Sequence, residues 1–120
     1  MTPVETVRLD RDRIVELGMR LGPIAAEDLI SRTMEDLAVL LAQASRAFEA
    51  GDFNALLVSA SKISEQAQHI GMTKLARVAG DAMALSTGKD TAALAAVTER
   101  LSRLGEKSLM AVWDLQENTV

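Results

Sequence analysis

Apolar residues recur along this chain at intervals of three and four and nowhere in sustained alternation, so the pattern predicts helices throughout. Ile14, Leu17 and Leu21 mark a short helix over 11–21, ended by Gly22-Pro23. A long helix over about 26–49 carries Ile30, Met34, Leu37, Leu41, Ala44 and Phe48 as one stripe. Gly51 stops it, and Asp52 is placed to cap the next helix with its carboxylate. That helix, 53–69, lines up Phe53, Leu56, Ala60, Ile63, Ala67 and, just past its end, Ile70, before Gly71 terminates it. A fourth helix, 73–86, holds Leu75, Val78, Ala79, Ala82 and Leu85. Its small residues Ala76, Gly80 and Ala84 suggest close approach by neighbouring helices. The stretch STGKD (86–90) reads as a turn with Asp90 as the following N-cap. The last helix, 91–116, shows a near-heptad seam of Leu94, Val97, Leu101, Leu104, Ala111 and Leu115, with Ser108 its one polar member. Gly105 sits inside that helix, at a cost of about 1 kcal/mol relative to alanine.

Long amphipathic helices joined by short links imply an all-α fold: an antiparallel up-down four-helix bundle with a short extra N-terminal helix. The length, 120 residues, suits a single helical-bundle domain over 1–120, with 1–10 as an N-terminal arm. Only 2% of residues are aromatic (Phe48, Phe53 and Trp113) against 48% hydrophobic, so the core must be aliphatic. The net charge of −4 and the lack of any Lys/Arg block argue against nucleic acid as a partner. Without cysteine there is neither a disulfide framework nor a thiolate zinc site. The opening MTPVETVRLDRDR alternates charge without an apolar core, unlike a signal peptide. No run approaches the roughly 18 apolar residues of a membrane span. These features lead us to expect a soluble, cytoplasmic protein with no membrane partner.

Enzyme templates find little to match. One histidine and no cysteine cannot build a familiar catalytic triad, and the glycines are isolated rather than grouped into a phosphate-cradling loop. The carboxylate pairs Glu27-Asp28 and Glu35-Asp36 fall on predicted exposed faces with no histidine beside them, unlike a di-iron site. We read no metal set, no cofactor motif and no enzyme.

A different likeness lies in the third helix and its flanks. Ala50-Gly51-Asp52 forms the turn before it, Ile70-Gly71 closes it, and Leu75 follows on the next helix. Over residues 26–116 this order of helices and turns resembles the histidine-containing phosphotransfer family, which passes phosphoryl groups between receiver domains in two-component relays. The family's signature helix reads approximately His-x-x-Lys-Gly-Ser/Ala and ends in a hydrophobic residue and Gly. Counting back ten residues from Gly71 puts Ser61 at the histidine's place, after Ala60, with Ser64 at the lysine's and Glu65 at the glycine's. The resemblance therefore implies a degenerate member without its phosphoacceptor, whose partner would be a receiver domain or a histidine kinase.

The departures all oppose phosphotransfer. A ring nitrogen attacks phosphorus and gives a labile phosphoramidate, whereas a serine ester would return its phosphoryl group to an aspartate only uphill. Ser64 supplies no cation, and the Glu65 carboxylate repels a phosphoryl group nearby. On a helical wheel Ser61 lies roughly 130° from the apolar stripe, so it should face solvent with Leu57, Ser64 and Gln68 as neighbours. That face is either ordinary solvated surface or a docking face for a partner, and an exposed Leu57 beside Ser61 tips the choice to docking. His69, about 80° around from Ser61, is the alternative phosphoacceptor; we favour a solvated histidine at a helix C-terminus. Arg100, Arg103 and Lys107 form a basic row able to meet an acidic receiver pocket, but Glu99 and Glu106 interleave with it and favour a salt-bridged surface. The stretch Leu109-Met110-Ala111-Val112-Trp113 is apolar nearly all round. Either Val4 and Val7 of the N-terminal segment cover it, or Met110 and Trp113 mediate a homodimer or meet a partner. A helical interaction module outside phosphorelays is the remaining alternative.

Overall fold

The computed structural model describes residues 8–117. Five helices make up this stretch: α1 (Arg11–Leu21), α2 (Pro23–Glu49), α3 (Phe53–His69), α4 (Thr73–Ser86) and α5 (Thr91–Glu117). No strand occurs among the described residues, so the chain is all-helical there. No described helix is long and apolar enough to cross a membrane.

Local chemistry sets the boundaries. Asp10, Asp52 and Asp90 each accept a hydrogen bond from the backbone N–H three residues on, at Arg13, Ala55 and Ala93, over 3.2, 3.0 and 2.9 Å. The first of these caps was not foreseen. The start of α2 also differs from the expected residue 26. Pro23 does not merely follow the end of α1 but opens α2 as its first residue, where a missing N–H costs nothing.

Each of α2, α3, α4 and α5 packs against two others, in the closed ring α2–α3–α4–α5–α2, and α1 lies on α2. Being flanked on two sides, α2 buries a band wider than one stripe. Leu40, Ala47 and Thr33 join Ile30, Leu37, Leu41 and Ala44 inside, and the Thr33 hydroxyl donates to the Leu29 carbonyl at 2.8 Å. The core is aliphatic, as the composition requires: Leu56, Ile63, Ile70, Met72, Leu75, Val78 and Leu101 are all buried. Phe48 and Phe53 stack across the α2–α3 turn, centroids 6.2 Å apart. Ser108 is fully buried in the α5 seam.

Two glycines acquire meaning only here. A Cβ on Gly105 would stand 2.5 Å from Leu41 Cδ1 and 2.8 Å from Cδ2, so this glycine makes room on α5 for the Leu41 side chain of α2. At Gly71 (φ 77°), a Cβ would meet the Asp10 carbonyl oxygen at 2.6 Å. By contrast, two of the small residues expected to line a close approach on α4 do not. A Cβ on Gly80 would meet nothing within 4 Å, and Ala84 is exposed.

The segment before α1 is fastened to the α3–α4 corner. The Asp10 N–H donates to the Gly71 carbonyl at 2.7 Å, Arg13 Nε to the His69 carbonyl at 3.0 Å, and the Thr73 hydroxyl to the Arg8 carbonyl at 3.4 Å. Carbonyls left open at the end of α3 thus find donors from a distant part of the chain.

Candidate docking face

The residues singled out on the third helix all lie on α3, and their backbone spacing (57, 61, 64, 65, 68) keeps them on one side of it. The opposite side holds the helix in place: Leu56, Ala60, Ile63 and Ala67 are fully buried. Ser61, Glu65 and Gln68 are exposed. Leu57 and Ser64 are only half-buried, so the expected exposed leucine is a correction. The reason is the neighbouring helix. Ser64 Oγ donates to the Ala76 carbonyl of α4 at 3.2 Å, which turns this edge of α3 toward α4 and occupies the hydroxyl's proton.

The apolar group that does stand out beside Ser61 is Val58, one turn earlier and 53% exposed. It borders a shallow groove of about 560 Å³ between α2 and α3, lined also by Gln43, Arg46, Asn54 and Ser59. Lys62 is exposed and follows Val58 by one turn, and Arg46 is exposed on α2. These two cations went unnoticed in the sequence because neither belongs to the signature spacing. Their signal was the i, i+4 step from Val58 to Lys62. Ser59, the other residue passed over, is buried at the groove's floor side.

Among the described residues no carboxylate or imidazole hydrogen-bonds the Ser61 hydroxyl. His69 is exposed at the last position of α3, with the Arg13 guanidinium at its carbonyl. Arg13 is itself paired with Glu16 at 3.2 Å.

The basic row on α5 is partly neutralised, since Arg103 pairs with Glu99 at 3.1 Å, one turn apart. In the LMAVW stretch Val112 is buried, Leu109 and Ala111 are half-buried, and Met110 and Trp113 are exposed. Val4 and Val7 lie outside the described residues.

The chain matches no protein-family model, no curated protein and no solved structure.

Proposed function

We propose that the helix ring is an antiparallel up-down four-helix bundle of the phosphotransfer type. In this reading it acts in two-component signalling by docking a receiver domain or a histidine kinase without carrying phosphate. The observation that carries this reading is the exposure of Ser61 on a helix whose far side is wholly buried. The position in register with the phosphoacceptor presents a hydroxyl to solvent, in line with Glu65 and Gln68. Val58 would supply the apolar contact, and Arg46 and Lys62 the charge that an acidic receiver pocket attracts. A protein of this kind competes for a receiver or holds it for another component, and it works in the cytoplasm, where receivers reside.

The test is to incubate the chain with receiver domains and kinases encoded near it, measuring binding and following label from a phosphorylated receiver. The expected result is binding that Val58→Glu weakens by about tenfold or more, with no label on the chain. Failure to bind any receiver or kinase would remove this reading and leave a helical interaction module of another kind.

One observation favours a second reading, a phosphocarrier using His69. That side chain is exposed, and Arg13 offsets part of the negative end of α3. Label that appears on the chain and disappears with His69→Ala would establish it.

A further inference from the structure

Six of the eight large hydrophobic side chains that the described residues expose come from three places in the chain. They are Val15, Met19 and Leu21 on α1, Ile24 at the start of α2, and Met110 and Trp113 late in α5. Met19 and Ile24 are 83% and 81% exposed, Met110 and Trp113 67% and 57%. Two apolar grooves lie among them, one lined in part by Val15 and the other by Trp113. One, of about 430 Å³, runs between α1, α2 and α5 and includes Val15, Ile14, Ile30 and Leu115. The other, of about 240 Å³, lies between α2 and α5 and is lined by Ser31, Met34, Glu35, Leu109 and Trp113. Gln116 borders both. On α2, Ile24 shares its angular position with Ser31 and Glu35, within about 20° at 100° per residue. On α1, Met19 stands one turn beyond Val15. Val15, Trp113 and the two grooves therefore belong to one face, with Met19, Ile24 and Met110 along its edges; Leu21, about 160° around α1 from Met19, points elsewhere.

We infer that this face is the interface of a homodimer. Ordinary residue sizes and the stated exposures put Val15, Met19, Ile24, Met110 and Trp113 together at on the order of 700 Å² of accessible surface. That exceeds the roughly 300–600 Å² patch usual on a monomer and approaches the roughly 800 Å² per partner of a standard interface. A two-fold contact requires one patch to carry both the projections and the hollows that receive them. Here Met19, Ile24, Met110 and Trp113 project beside the two grooves. Charge is self-complementary too, since Arg11 and Glu27 both rim the larger groove. A two-fold axis midway between them would bring each to its opposite on the other copy. The Ser61 face on α3 contributes nothing to this surface, so the dimer does not depend on the proposed docking role.

Trp113 is the only tryptophan in the chain and so reports on its own burial. The experiment measures molar mass by light scattering and Trp113 emission on the full chain across a dilution series. Mass should rise to that of two chains as concentration increases, and emission should shift to the blue in step. Trp113→Glu and, separately, Met19→Glu should each weaken dimerisation by about 30-fold or more, as loss of a central anchor does. Both side chains are exposed, so the helical circular dichroism should be unchanged. Val58→Glu, on the α3 face, should leave the dimer intact and serves as the control. A monomer at all concentrations with blue, concentration-independent emission would overturn the proposal, showing that Trp113 is covered within a single chain. A monomer with red emission throughout would overturn it in favour of a different protein partner. A dimer indifferent to both substitutions would place the contact elsewhere.

Discussion

Alanine at position 105 offers a test of how α5 meets α2, because two effects of known size act with opposite sign. In a helix interior, Gly→Ala is worth about 1 kcal/mol of stability if the methyl is accommodated. Here the methyl carbon would lie 2.5, 2.8 and 3.2 Å from Leu41 Cδ1, Cδ2 and Cγ. Moving one terminal methyl does not relieve all three overlaps; the head of a buried leucine must move as a unit. Overpacking of that kind costs about 1–3 kcal/mol, so Gly105→Ala should destabilise by about 1 kcal/mol net. For a domain of this size that lowers the melting temperature by roughly 4 °C.

The sign should reverse once Leu41 is truncated. Leu41→Ala alone should cost about 2–5 kcal/mol through the cavity it leaves. In that background the methyl at 105 enters free space, and Gly105→Ala should stabilise by about 1 kcal/mol. The coupling energy from the double-mutant cycle is then about 2 kcal/mol. Urea unfolding of the four proteins measures it. If Gly105→Ala stabilises equally in both backgrounds, the helices do not touch at this point and the α2–α5 packing described here is wrong.

Gly80→Ala is the counterpart: with nothing within 4 Å of the added carbon, it should raise stability by up to about 1 kcal/mol, read from the thermal midpoint. Gly71→Ala should cost about 2–4 kcal/mol in urea unfolding, because the residue has φ 77° and its methyl would collide with the backbone oxygen of Asp10. Asp52→Ala and Asp90→Ala should each cost about 1 kcal/mol through a lost N-cap, whereas Glu99→Gln, which breaks an exposed pair, should change stability by less than about 0.5 kcal/mol. These are measured in the same unfolding assay.

The helices were legible because their ends are written in short-range chemistry. Asp52, Asp90, Gly51 and Gly71 act within three or four residues, and the expected limits of α1, α3 and α4 coincide with those observed. Pro23 was misplaced because proline both follows a helix and begins one, and only the path of the chain decides between them. What depends on neighbours was not legible. Periodicity gives the angle at which a side chain leaves its own helix but not which helix lies across from it. Leu57 and Val58 differ by one step around α3, and the position of α4 half-buries the first while the second faces out. Gly105 and Gly80 look alike in sequence, yet one adjoins Leu41 and the other open space. The Arg13–His69 contact joins residues 56 apart and left no local trace.

The same distinction bears on a test of the proposed phosphotransfer register of the α3 face. Placing histidine at Ser61 would supply an exposed imidazole, but Glu65 is one turn further on the same side, with Cβ atoms about 6 Å apart. A phosphoryl group carries close to two negative charges. At about 7 Å from the carboxylate its repulsion is about 1 kcal/mol in bulk water and about 5 kcal/mol at the effective dielectric of a protein surface. Ser61→His alone should therefore take little label from a receiver, provided that receiver binds the unaltered chain. Adding Glu65→Gly removes the repulsion, and Ser64→Lys adds a cation at the cost of the bond to the Ala76 carbonyl. Together they should raise labelling at least tenfold over Ser61→His, with helicity retained. If the triple variant still folds and docks but takes no label, an accessible imidazole with its charge environment repaired is not opposite the receiver's aspartate. The register that aligns Ser61 with the phosphoacceptor would then be mistaken, even though docking itself stands.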